Sequence, residues 1–301
     1  MAVVEACRAA GLAVRTTGRQ PQALPDYLPA DVLRPETLAP LVEGVDCVVH
    51  AAGTAHRYGR AAQAREAFAA NARGVENVLT AAARAGARQA VLVSSVSVYG
   101  PHQGAAVETD TCRPDSVYGK SKLVGELMAR RVAHESGMAL TIVRLATVYG
   151  EGDPGNIARL MRAIDRRRFV WVGSGDNRKS LIHRDDVGRA CLAVIQAPAE
   201  GTRTFNVSAP ACSMRDVVEG LAQALDRRVP RVGLPARPAL AAAGLPARMG
   251  APIFRETLRK WLADDVYSPA AFRETFGWEA AVPLAEGLRR EVAWYRGTRD
   301  E

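Results

Sequence analysis

Short β-branched runs alternate with helical patterns through the first half of this chain, and that alternation limits the fold more than any other feature. Val45–His50, Ala90–Val93 and Thr141–Leu145 read as strands; Ala61–Ala85, closed by Gly86, and the stretch opening at Tyr118 read as helices. Strands separated by helices long enough to cross back predict an α/β fold, a doubly wound parallel sheet covered on both faces. In such sheets ligands meet the carboxyl edge, and there the strand through Val93 ends in Ser94 and Ser95. The chain itself opens on a helix, Ala2–Ala10, stopped by Gly11; Leu12–Val14 follows as a strand.

Beyond the serines, Tyr118 and Lys122 stand four residues apart at the start of a helix. At that spacing both side chains leave one face, so an ammonium lies beside a phenol. A free tyrosine titrates near pH ~10 and a neighbouring cation favours the phenolate, which predicts a general base for neutral pH. Ser95 would hold the same substrate oxygen from the strand side. A tyrosine and a lysine on any exposed amphipathic helix are the plain alternative; the serine-rich strand end favours a site.

Together, Ser94-Ser95 with Val98-Tyr99-Gly100, then Tyr118-Gly-Lys-Ser-Lys122, resemble the extended short-chain dehydrogenase/reductase family, in particular its NAD-dependent epimerase/dehydratase branch. The resemblance implies a Rossmann-like cofactor domain over residues 1–150, to which 180–200 return, and a smaller α/β substrate lobe over 151–301. It implies Ser95, Tyr118 and Lys122 as the catalytic trio, with Tyr118 and Lys122 also touching the cofactor. Asp31-Val32 matches an adenine-contacting pair, and Ala51-Ala52-Gly53 matches a small-residue strand exit that lets cofactor meet the backbone. Asn71 matches a helix asparagine that supports the site. A turn-capping Asp31 and a plain mid-helix Asn71 are the alternatives. Asn156 is the implied nucleotide contact, Arg178 and Lys179 those of a diphosphate; a helix cap and solvent-facing charges compete with these readings. His50 reads as a satisfied strand-end histidine.

Two departures matter. The family's Gly-x-x-Gly-x-x-Gly turn, whose amides hold the pyrophosphate together with the helix that follows, is not in this sequence. The resemblance puts it, with the first strand, upstream of Met1, so the sheet is expected to be N-terminally incomplete and this form to bind dinucleotide weakly or not at all. Gly150-Glu-Gly152-Asp-Pro-Gly155 has the glycine spacing of a phosphate loop, but Glu151 and Asp153 would set two carboxylates against the pyrophosphate. It is read instead as the crossing into the second lobe. Arg15-Thr-Thr-Gly-Arg19 offers no acid to the ribose hydroxyls, and Arg19, with Arg15, would meet a 2′-phosphate, surface arginines without a ligand role being the alternative, so NAD and NADP both stay open.

The implied activity is that of a sugar-nucleotide epimerase, with hydride leaving C4 and returning through a transient ketone. An NADPH-dependent ketone reductase would use the same trio, and a non-catalytic scaffold or binding protein is the alternative of another class. Ser94-Ser95-Val96-Ser97 lacks the Thr-Asp-Glu set of the sugar-nucleotide 4,6-dehydratases, which disfavours dehydration. The formal charge of +8 suits an anionic nucleotide-diphosphate substrate; no basic run interleaved with aromatics points to nucleic acid, and Arg166-Arg167-Arg168 reads as a solvated helix end. Five cysteines and five histidines lie scattered without ligand spacing, so no metal site is expected. No apolar run reaches the length of a membrane span and no signal peptide is visible, which makes a cytoplasmic setting the expectation and leaves a homodimer open.

Overall fold

The computed structural model describes residues 1–18, 26–54, 61–153, 155–230, 233–242 and 258–298. Helix α1 (Ala2–Ala9) leads to β1 (Thr16–Gly18) and β2 (Tyr27–Pro29), a parallel pair. The ladder falls on Thr16–Gly18 rather than on the expected Leu12–Val14, because Leu12 still serves the helix end, its amide donating to the Cys7 carbonyl. Next come α2 (Ala39–Val42), β3 (Cys47–His50), α3 (Ala61–Phe68), α4 (Gly74–Arg84), β4 (Gln89–Ser95) and β5 (Ala105–Ala106). Then follow α5 (Val117–Ser136), β6 (Ala139–Leu145), β7 (Thr147–Tyr149), α6 (Asn156–Asp165), β8 (Arg178–Lys179), β9 (Leu181–His183), α7 (Arg184–Gln196) and β10 (Thr202–Val207). The remainder holds β11 (Cys212–Ser213), α8 (Met214–Leu225), α9 (Ala236–Ala242), β12 (Val266–Tyr267), α10 (Ala270–Phe276) and α11 (Leu284–Gly297).

The main sheet has the order β10-β6-β4-β3, every pair parallel. Among the described residues no ladder joins β1 to β3. Successive side chains of a strand face opposite ways, and β4 shows what that does. Ala90 and Leu92 join Leu140 and Ile142 of β6 under α4 and α5, while Val91 and Val93 join Val143 and Leu145 under α7, α10 and α1. Both faces are therefore covered, and the fold is the doubly wound α/β sheet. Leu79, Leu92, Leu140 and Ile142 are fully buried, and each such side chain contributes about 1.5–3 kcal/mol.

The second core collects Ile157, Met161 and Ile164 of α6, Val217, Leu221 and Leu225 of α8, and Leu288 and Val292 of α11. The return to the main sheet extends past 180–200: β10 pairs along its whole length with β6, and Phe205 meets Phe272, which lies edge-on to Trp278. This aromatic cluster draws Trp278 to the sheet, whereas Trp261 packs beside the second core. Among the described residues no helix is long and apolar enough to cross a membrane.

Glu291 of α11 is buried between Leu288 and Val292 of the second core, and that burial, with Asp153 and Glu151 nearby, lifts its pKa to about 8 despite the Gly150 amide. A carboxyl whose pKa is raised on folding contributes stability that is complete below its unfolded value and is lost as pH rises through the folded one. Glu291→Gln should therefore widen its melting-temperature advantage over the parent between pH 5 and pH 8.5, to about 5 °C at the upper end. A gap that does not change with pH would show that Glu291 is not the titrating group.

Candidate active site

Strand β4 carries Ser95 to the carboxyl edge of the sheet, where its hydroxyl accepts the Ser97 amide at 3.2 Å and caps the single turn Val96–Val98. The first turn of α5 must then come in against that turn. A Cβ on Gly119 would lie 2.3 Å from the Ser97 carbonyl oxygen, so only glycine lets the helix approach this closely. Ser116 caps α5 by accepting the Gly119 amide at 3.1 Å. The neighbouring Tyr118 is thereby brought beside Ser95, close enough for the Ser95 hydroxyl to act on its phenol, while that hydroxyl itself donates to Ser97 Oγ at 3.2 Å.

Lys122, four residues on, is buried, and its ammonium donates to the Val93 carbonyl at 2.6 Å, two residues before Ser95. The structure thus gathers the three predicted catalytic residues at one strand end. It corrects the electrostatic expectation, however. Burial raises the Tyr118 pKa and the nearby Ser95 hydroxyl only partly offsets it, while burial lowers Lys122 to about 8 against the pull of Glu126. Spacing on a helix cannot report desolvation, which here acts on both members of the pair.

Asn71 sits in a π-helical turn, Ala69–Arg73, between α3 and α4. Its carbonyl oxygen accepts the Thr54 amide at 2.8 Å, and its amide donates to the Thr54 carbonyl at 3.1 Å and to Ser121 Oγ at 2.9 Å. Ser121 passes the connection to the Tyr118 carbonyl at 2.8 Å. Asn71 therefore ties the exit of β3 to the helix that carries Tyr118 and Lys122. Gly125 makes this possible, since a Cβ there would stand 2.1 Å from the Asn71 carbonyl oxygen. Ala51, Ala52 and Gly53 lie exposed along that exit.

His50 at the end of β3 is buried and held neutral, its pKa pushed down to about 3 by burial and by the Lys122 charge. The Ala52 backbone engages the ring, but Nε2 finds no hydrogen-bond partner among the described residues, so the strand-end histidine is satisfied on one side only. Met1 occupies the cap position of α1. Asp31 accepts the Leu33 amide at 3.0 Å and so does cap a turn, and Val32 packs against Gly74 while its carbonyl takes Asn77. Arg15 is spent on the carbonyls of Pro40, Leu41 and Glu43 at the end of α2, and Arg19 lies outside the described residues. The residues present fit the nicotinamide-ribose half of a dinucleotide: exposed small residues beside a lysine, a tyrosine and an unpartnered buried acceptor.

Of the substrate residues, Asn156 is exposed on the first turn of α6; Gly155, not Asn156, holds the cap position. Arg178 is exposed and donates to the Ala211 carbonyl at 2.6 Å. Lys179 is a correction: it is buried, and its ammonium donates to the Lys260 carbonyl at 2.7 Å, because β8 pairs with β11 and turns that side chain inward. In the glycine-spaced stretch after Tyr149, Asp153 already accepts the Gly155 amide at 2.6 Å, so that amide is not free for a phosphate. Glu151, His183 and Asp185 come close enough to share an ion. Arg290 bridges the two carboxylates at 2.7 and 2.6 Å, and His183 Nδ1 accepts the Asp185 amide, which leaves its proton on Nε2 facing Glu151.

The model of the family described as "NAD dependent epimerase/dehydratase family" matches residues 2–208. The chain is 30% identical to the N-acetyl-alpha-D-glucosaminyl-diphospho-ditrans,octacis-undecaprenol 4-epimerase of Escherichia coli O157:H7 over 55% of this chain, and spans about half, 51%, of that relative's length. It is 26% identical to the 3 beta-hydroxysteroid dehydrogenase/Delta 5-->4-isomerase of Mycobacterium tuberculosis over 94% of this chain and 83% of that protein. The solved structure of MoeE5 in complex with UDP-glucuronic acid and NAD superposes with a TM-score of 0.79 at 26% identity, covering 98% of this chain and 95% of the other.

Replacing Asn71 by alanine removes three hydrogen bonds from one buried side chain and should destabilise the protein by about 2 kcal/mol. Amide exchange at Thr54 should accelerate in the variant. An unchanged Thr54 rate would show that the strand exit is held by something else.

Proposed function

This chain belongs to the NAD-dependent epimerase/dehydratase family, and we propose that it acts on a sugar carried on a diphosphate, inverting C4 through a transient ketone. The observation that carries the reading is that Tyr118 comes beside Ser95 at the end of the strand whose Val93 carbonyl holds the Lys122 ammonium. When bound, NAD supplies a hydride acceptor at the nicotinamide, and the same carrier gives the hydride back. Tyr118 takes the proton of the C4 hydroxyl, and Ser95 donates a hydrogen bond to that oxygen. The C4 hydrogen departs as hydride, leaving a carbonyl. After the sugar turns, Tyr118 returns the proton as hydride returns to the other face, so no net oxidation results.

Burial favours the neutral phenol, which makes Tyr118 a proton donor for the return half. Charge is needed for the forward half, and Lys122 is the nearest positively charged group on the same helix face. Asn156 and Arg178 serve the substrate in this reading, the first for its nucleotide or carrier head and the second for the diphosphate. Asp31, Val32, Ala51, Ala52 and Gly53 line the cofactor's path. The steroid dehydrogenase relative, matched over nearly all of this chain, supports a second reading in which the same trio oxidises or reduces a free alcohol or ketone.

Incubation with UDP-, dTDP- and polyprenyl-diphosphate sugars and with 3β-hydroxysteroids, each with NAD or NADP in both oxidation states, separates these. Inversion at C4 without change of mass supports epimerisation. A gain or loss of two hydrogens with stoichiometric cofactor turnover supports the second reading, and silence throughout favours a non-catalytic scaffold. Tyr118→Phe should lower kcat by about 10²- to 10⁴-fold with an unchanged melting temperature. A fully active variant would remove Tyr118 from the mechanism.

A further inference from the structure

Behind the trio lies a charge that the proposed reaction does not use. Glu126 stands one helical turn beyond Lys122 on α5 and is only 1% exposed. Its carboxylate is fully engaged. Ser94 Oγ donates to Oε1 at 2.6 Å, and Arg144 of β6 donates through Nε to Oε1 at 3.1 Å and through a terminal nitrogen to Oε2 at 2.8 Å. The other terminal nitrogen of Arg144 donates to the Tyr99 hydroxyl at 2.9 Å, and that hydroxyl donates to Asn206 of β10 at 2.7 Å.

A buried ion pair of this kind gives little or no stability over well-packed apolar side chains, because taking each ion out of water costs several kcal/mol. Stability alone therefore does not account for a carboxylate at this position. Its neighbours supply another account. Ser94 lies between Val93, whose carbonyl holds Lys122, and Ser95, which meets Tyr118. The groups acting at Lys122 are His50 from β3, held neutral, the Val93 carbonyl from β4 and Glu126 from its own helix, with Arg144 from β6 paired to Glu126 behind it; Tyr118 lies one turn back on the same helix. Among them Glu126 is the anion.

We infer that Glu126 is a positioning residue that keeps the Lys122 ammonium charged in a water-poor site and, through Ser94, sets the strand end against the helix. The inference deepens the proposed activity and rests on it for its catalytic meaning. Desolvation alone would drive Lys122 toward the neutral amine, which could neither hold a cofactor ribose as a cation nor favour loss of the Tyr118 proton. Arg144, by pairing with Glu126, orients the carboxylate and in turn adds a second cation nearby should Glu126 lose its charge.

The chain has four lysines, Lys120, Lys122, Lys179 and Lys260, so 13C-lysine-labelled protein gives a spectrum in which Lys122→Met assigns the Lys122 resonance directly. Titration of that resonance is read without substrate or cofactor. In the parent the midpoint is expected near 8. Glu126→Gln should lower it, since Arg144 is then unopposed, and the limb of the kcat/KM profile that reports Lys122 should move with it. Should Glu126→Gln fail to fold, Arg144→Met is compared with the double variant Glu126→Gln/Arg144→Met, which carries no buried charge of the pair. A lower midpoint in the double variant supports the inference; equal midpoints overturn it, as does an unmoved midpoint in folded Glu126→Gln. A midpoint that moves in a protein inactive on every sugar keeps the inference about Lys122 and overturns the activity instead.

Discussion

The site depends on how closely α5 can approach the carboxyl end of β4. A tyrosine on a helix and a serine on a strand meet only if the helix backbone comes within contact of the turn that follows the strand, and the absence of a side chain at Gly119 permits that. A second close approach, at Gly125, seats the same helix on the Asn71 turn. The two contacts fix α5 along its length, so Tyr118 and Lys122 are presented by a rigid element rather than by a loop. Reactions that need atoms placed within a few tenths of an ångström benefit from that rigidity.

Once the helix is seated, burial controls the chemistry. It raises the tyrosine, lowers the lysine and holds His50 neutral. These effects work against a phenolate, and only a charge brought in from elsewhere can reverse them. The pairing of Arg144 with Glu126 behind Lys122, continued through Tyr99 to Asn206, reaches across α5, β4, β6 and β10. A network whose members are hydrogen-bonded throughout is rigid and specific in a way that apolar packing is not.

Several site residues could be read before the fold was known, and for a common reason. Tyr118 and Lys122 are related by helical spacing, and Ser95 by its place at the end of a β-branched run, both of which are local. Asn71 could be matched by resemblance, but the π-helical turn that aims it at Thr54 and Ser121 has no periodic signature. Lys179 looked like a surface cation beside Arg178; strand pairing put one residue outside and the other in the core. Arg15 looked like a phosphate ligand and proved to cap α2.

The sequence by itself determined the alternation of strands and helices, the two-faced β4 and the shared helical face of Tyr118 and Lys122, because each of these follows from a period of two or 3.6 residues along the chain. Only the tertiary structure decided which polar groups are dry and what they touch. Ser94 meets Glu126, Lys122 meets Val93 and Arg144 meets Tyr99 across long separations in sequence. Desolvation and contacts of that kind are properties of the packed chain, and no local pattern carries them.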